Sequence, residues 1–417
     1  MSTQPIVITG VGILSCNGLG LSAYWNSLRN GVSGIRRITR FDPTDFSCRI
    51  AGQLWDFNPE DFLKKADVKR WHSHVHHSVA SAKLAVAMAE FENARYAPER
   101  VAVGFGTSVG TPDEHYLQYR EIYESKGWQK IDKFASSATS GHAATANVST
   151  TFGFRGPAIT IASGCATGLD VISWGMQQIR YGYADAAVVG ATESPVTPLT
   201  MAVSCALDIV SKRNDEPEKA MRPFDKDSDG IVLSEGAGCV ILERADRARA
   251  RGAPIYAEIC GYGAASEGVN PLVIDKEGKA LARAIAHALD ESGMRPDDLD
   301  AAVSHGVSLS MYDRSESRAY KLALGDHAYR IPITAPKSMT GQPYAAGGLL
   351  SVGAALLALS EGVIAPTINL DTPDPECDLD FVPHTVRLND VRTALVTAMS
   401  FGGTHSAVAL RRMNGWS

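Results

Sequence analysis

Ala158-Ile159-Thr160-Ile161-Ala162-Ser163-Gly164-Cys165-Ala166-Thr167-Gly168 is an apolar run that ends in a turn of small residues. The run is short and partly β-branched, so it reads as a buried strand, and Leu169–Arg180 after it reads as a helix. Cys165 is thereby placed at a strand-to-helix turn. There the unpaired N–H groups of the first helical turn and the helix dipole favour a thiolate.

Outward from this turn, apolar β-like runs alternate with helical patterns, which predicts an α/β fold. Strands are expected at Ile6–Val11, Val101–Phe105, Ala187–Gly190, Cys239–Leu242, Ile255–Cys260, Ala301–Ser304, Ile331–Ala335 and Ala394–Met399. Helices are expected at Ser73–Phe91, Asp113–Ser125, Lys279–Ser292, Asp313–Leu324 and Leu350–Glu361. Two units look alike. The run before Cys165 leads through a helix to Asp185-Ala186-Ala187-Val188-Val189-Gly190. Ile331–Ala335 leads through Lys337-Ser338 to the helix at Leu350 and on to Ala394–Met399 and Phe401-Gly402-Gly403. Order and spacing imply two similar halves, residues 1–250 and 251–417, joined near Arg247–Ala253 and packed as one body.

The 417 residues are 45% apolar and 21% charged, the usage of a globular protein able to bury a sizeable core. A net charge of −6 argues against general nucleic-acid binding. The opening Met1-Ser2-Thr3-Gln4-Pro5 lacks the basic region of a signal peptide. The longest apolar stretch, Leu349–Leu359, falls short of a membrane span. Seven scattered cysteines with no CxxC suit a reduced, cytoplasmic protein.

Further motifs stand in a fixed order around the thiol. Arg222-Pro223-Phe224-Asp225, Asp229-Gly230 and Glu235-Gly236-Ala237-Gly238 precede Ser304-His305-Gly306. Lys337-Ser338-Met339-Thr340-Gly341, Pro366-Thr367-Ile368-Asn369-Leu370-Asp371, Asp378-Leu379-Asp380-Phe381-Val382-Pro383 and Phe401-Gly402-Gly403-Thr404 follow. Over nearly its whole length the chain resembles the β-ketoacyl synthases of the thiolase superfamily. The resemblance implies a thiolase-like fold of five layers, αβαβα, in an obligate dimer. It implies decarboxylative condensation, in which a thiolate takes an acyl chain from a carrier protein and two histidines stabilise the enolate of a malonyl group. By position Cys165 is the nucleophile, His305 the first histidine and Lys337 the site lysine. The N–H groups of Cys165 and Phe401 form the oxyanion hole, and Asp313 and Glu316 match the acidic pair after the first histidine.

The departures from the family pattern decide more. Gln342 stands where the second histidine belongs, and Val307 and Leu309 replace the hydroxyls that hold pantetheine. Ser351 replaces the glutamate that pairs with the lysine. Gln342 donates one neutral N–H bond but takes up no proton. Each lost hydroxyl costs pantetheine binding roughly 1 kcal/mol. Ala335–Ala345, with Gln342-Pro343-Tyr344, is similar to the chain-length factors of type II polyketide synthases, the degenerate partners of a catalytic ketosynthase. Val352–Leu359 and Val363–Thr367 continue the likeness. Cys165 is nevertheless kept where chain-length factors of aromatic polyketide systems carry glutamine, so the chain is a hybrid.

The resemblance implies a heterodimer with a catalytic ketosynthase and an acyl carrier protein as second partner. The carrier's 4′-phosphopantetheine arm brings the substrate, and no cofactor or metal is expected on the chain itself. The alternative is an autonomous homodimeric synthase or acyltransferase using Cys165 and His305. Two plainer readings also stay open: Cys165 as a small buried apolar residue, and His305 as an inherited structural donor. His72, His74, His76 and His77 read as solvated or partner-facing rather than as metal ligands, because no cysteine or acid accompanies them. Tyr116, Tyr119 and Tyr123 recur at helical spacing. In the family this helix lies at the dimer interface, which makes Val109, His115 and Tyr116 candidates for an acyl tunnel.

Overall fold

The main sheet takes its strands in chain order as β1 (Ile6–Ser15), β2 (Val101–Gly106), β3 (Ala158–Ile161), β4 (Ala186–Glu193) and β5 (Gly236–Arg244), then β6 (Ala257–Ser266), β7 (Ala301–Val303), β8 (Ile333–Thr334), β9 (Thr393–Met399) and β10 (Thr404–Arg411). The structure is a computed structural model that describes residues 4–131, 133–135, 140–270 and 272–413, with the backbone alone at residues 114–118. In space the order is β8-β7-β9-β10-β6-β1-β5-β4-β2-β3, with Gly18–Leu19 paired beside β1. Outward from the β1–β6 junction, one arm runs 1-5-4-2-3 and the other runs 6-10-9-7-8. This is the same order with five added to each number. The pairing senses repeat too: two antiparallel steps and then two parallel ones in each arm. The arms meet antiparallel at Ile6–Ile259, Val7–Glu258 and Ile8–Ala257.

Helices cover both arms and fill the space between them. Thr167–Arg180 packs on β2 and β4, Gly347–Glu361 packs on β9, β5 and β1, and the two helices touch each other at the centre. Ser73–Met88 and Ala143–Phe152 cover the outer face of one arm, and Lys279–Ser292, flanked by Ser310–Leu324, covers the other. The result is the expected thiolase-like α/β architecture in five layers. Tyr344–Glu361 is in fact long and apolar enough to cross a membrane, but most of it is buried in the core. Its small residues permit that depth: a side chain at Gly353 would press on Tyr24 and Ile13.

Two sequence expectations change. β3 is not a buried strand; it is the sheet's edge, and its first two residues are exposed. One of its flanks pairs with β2 and the other has no strand beside it among the described residues. β10 was not expected at all, because Thr404-His405-Ser406 and the small Ala407 and Ala409 weaken its apolar signal.

Candidate active site

The turn that holds Cys165 is built from both arms. After β3, Gly164–Ala166 form a single 3₁₀ turn that runs into the Thr167–Arg180 helix. Gly164 sits at φ +64°, and a Cβ there would lie 2.9 Å from Ser400 Oγ, so the position requires glycine. Ser400, just after β9, accepts the Ala166 N–H at 2.8 Å and donates to the Ser163 carbonyl at 2.6 Å. Cys165 is 7% exposed. Burial pushes its thiol up to about 12 and nearby Glu193 adds to the rise, while Lys337 and the N–H groups of Phe401 and Cys165 itself oppose it. The thiolate expected from the turn is therefore not favoured, because desolvation outweighs the helix terminus.

His305 lies in the loop after β7, and two buried acids of the Ser310–Leu324 helix hold that loop. Glu316 accepts the N–H of His305 at 2.6 Å and of Gly306 at 2.8 Å. Asp313 accepts those of Val307 and Phe224, both at 2.9 Å. Burial raises both acids, Asp313 to about 7. Burial, then Lys337 and His405, hold the His305 imidazole well below its usual value, so it is neutral. Lys337 Nζ donates to the His305 carbonyl at 2.7 Å and stands 3.4 Å from Nδ1. Burial draws the lysine down to about 8. Ser351 is buried, and its hydroxyl has no hydrogen-bond partner among the described residues.

Gln342 faces the thiol, its Nε2 3.4 Å from Cys165 Sγ, while its Oε1 is buried without a hydrogen-bond partner among the described residues. Its backbone is fixed by bonds to Val232 and Ser234. A cavity of about 240 Å³ opens beside Cys165, His305 and Gln342, walled in part by Val307, Leu309 and Phe401. Val307 and Leu309, the two residues that replace the pantetheine-binding hydroxyls of the family pattern, thus give this wall an apolar surface. Phe401 is 42% exposed and carries its backbone N–H toward the sulfur. The site therefore gathers Cys165, His305, Lys337, Gln342 and Phe401. Val109 also lines the cavity. His115 and Tyr116 fall on the Pro112–Lys126 helix, but their side chains lie outside the described residues.

Sequence reading missed several residues of this region. Glu193, at the end of β4, is fully buried and accepts the N–H groups of Ser108, Val109 and Gly110. Burial pushes it up to about 8. The only signal in the sequence was an acid closing an apolar strand before Ser194-Pro195. His405 and Glu267, 2.8 Å apart, form a buried pair next to the Phe401 turn. The histidine group also differs from expectation. His72, His74 and His77 are buried within the single chain rather than solvated. His74 bonds Thr111 at 2.9 Å, and His77 packs edge-on against Phe57. No cluster of three metal-ligating side chains occurs among the described residues.

Comparisons with known proteins agree with this geometry. Residues 3–248 match the model of the β-ketoacyl synthase N-terminal domain, and residues 256–371 that of its C-terminal domain. A putative polyketide β-ketoacyl synthase 1 of Streptomyces cyaneus is 38% identical, over 98% of each chain. The 3-oxoacyl-(acyl-carrier-protein) synthase 2 of Coxiella burnetii is 37% identical, over 99% of this chain and 100% of its own length. The ishigamide ketosynthase/chain length factor superposes with a TM-score of 0.92 at 29% identity, covering 99% of this chain and all of that one.

Proposed function

The chain belongs to the β-ketoacyl synthase family, and we propose that within it this chain is the chain-length factor of a type II system. In this reading it pairs with a catalytic ketosynthase and shapes the space in which a carrier-bound acyl chain grows. The observation that carries the reading is the Gln342 amide at 3.4 Å from the Cys165 sulfur, where the family pattern has a histidine. A neutral amide donates a hydrogen bond but takes up no proton, and the thiol opposite it is held protonated by burial. The remaining base, His305, is neutral and tied to Lys337 through its own carbonyl. The site retains oxyanion donors without the pair of bases that a full condensation cycle uses.

Other features support a partner and a carrier. The open edge of β3 exposes Ile159, and Leu199, Val203 and Leu207 are exposed near the cavity mouth. Such surfaces suit an extended subunit interface. The cavity beside Cys165 suits an acyl chain presented on a phosphopantetheine arm. The similarity to a ketosynthase/chain length factor points the same way, and seven free cysteines are the usage of a reducing compartment.

The test mixes the purified chain with a catalytic ketosynthase and malonyl-loaded carrier protein. Cys165→Ala is expected to leave product formation by the two-subunit mixture intact, and the chain alone is expected not to turn over. Turnover by the chain alone, with an acyl thioester on Cys165, would overturn the proposal in favour of an autonomous synthase.

A further inference from the structure

Glu193 is a buried acid held by backbone N–H groups of one loop, with the Thr107 hydroxyl beside them and no ion-pair partner among the described residues. Its Oε1 accepts from Ser108 and from Val109 at 3.2 Å, and its Oε2 accepts from Gly110 at 3.0 Å. Ser194 N–H donates to the Gly110 carbonyl at 3.1 Å, so strand end and loop are clasped twice. Behind the strand, the buried His77 ring bonds the Glu193 carbonyl. The clasped loop supplies Ser108 and Val109 to the wall of the cavity that holds Cys165.

The same loop sets a second wall. It runs into the Pro112–Lys126 helix, whose Asp113 Oδ2 accepts the Leu199 N–H at 2.6 Å. Leu199 lies in the first turn of the Pro198–Ala206 helix, which lends Thr200, Val203 and Ser204 to the cavity. Removing the carboxylate would leave the Ser108, Val109 and Gly110 N–H groups without their acceptor, and the loop would have to move to regain hydrogen bonds.

We propose that Glu193 is a specificity-determining positioning residue: by fixing Ser108 and Val109 it sets the length of acyl chain that the cavity beside Cys165 admits. This rests on the reading of the cavity as an acyl site. Glu193 touches no substrate in this assignment and acts through the loop.

Alkyl methanethiosulfonates from methyl to dodecyl test it on the intact chain. The Cys165 thiolate attacks the sulfenyl sulfur and expels methanesulfinate, leaving an alkyl disulfide that peptide mass mapping reads. Wild type is expected to show labelling that falls beyond a limiting alkyl length. In Glu193→Gln, whose amide turns N–H against the loop's N–H groups, the octyl-to-ethyl labelling ratio is expected to change by about fourfold or more, the worth of one methylene of fit. If the Gln variant does not fold, Glu193→Asp, which retracts the carboxylate by one carbon, carries the same comparison. An unchanged ratio in a folded variant, with Val109→Phe still shortening the limit, overturns the role of Glu193 and leaves the acyl reading standing. Wild-type labelling that is indifferent to alkyl length overturns the acyl reading and this proposal with it.

Discussion

The amide of Gln342 points its N–H at the sulfur of Cys165 across 3.4 Å, so the thiol faces a donor where the family pattern has a base. Replacing Gln342 by histidine restores a group that stabilises a thiolate as an imidazolium pair. Iodoacetamide alkylation of Cys165 at neutral pH is expected to rise by about 10- to 100-fold in that variant, a shift of one to two pKa units. An unchanged rate would show that burial alone governs the thiol.

The unmodified thiol has its own pH signature. Its value rises from 9.0 to about 12, so the folded chain holds this proton more tightly than the unfolded chain. At pH 8 alkylation of Cys165 is expected to be about 1,000-fold slower than in the urea-unfolded chain, following the thiolate fraction. The linked stability is present below pH 9 and is lost as pH rises toward 12. Denaturation midpoints that do not fall over that interval in wild type relative to Cys165→Ser would contradict the shift.

Glu316 holds the His305 loop through two buried N–H groups. Glu316→Ala strands both, and a loss of about 2–4 kcal/mol is expected from urea unfolding. Glu316→Gln, which keeps one acceptor oxygen, is expected to lose roughly half as much.

Gly164 and Ser400 form a second coupled pair. Gly164→Ala meets Ser400 Oγ at 2.9 Å and also forces a β-carbon onto a left-handed backbone, so a loss of about 2–3 kcal/mol is expected. Adding Ser400→Ala is expected to recover only the contact part. A double-mutant cycle with no coupling would show that the turn relaxes away from Ser400.

Much of the architecture was legible because most strands of the main sheet are short apolar runs buried on both faces. Cys165 was singled out by its place in a turn after a β-run, whereas His305, Lys337 and Gln342 were singled out by the family resemblance of the motifs that hold them, and the structure brings the four together. Glu193 and the Glu267–His405 pair could not be read, since their partners are backbone groups or residues more than a hundred positions away. The protonation of Cys165 was misread because a turn announces its dipole in sequence, whereas the depth of burial emerges only once β9 and the Gly347–Glu361 helix close over it. The depth of the histidines on Ser73–Met88 was misread likewise, since that helix faces β1 and β5.

β3 leaves an open row of backbone donors and acceptors, with Ile159 exposed, ending only a few residues before Cys165. A cell that makes this chain in excess of whatever covers that row accumulates copies with an adhesive flank. Synthesis of this chain in step with whatever covers that flank, a second copy or a different chain, is therefore a requirement set by solubility, before any chemistry begins.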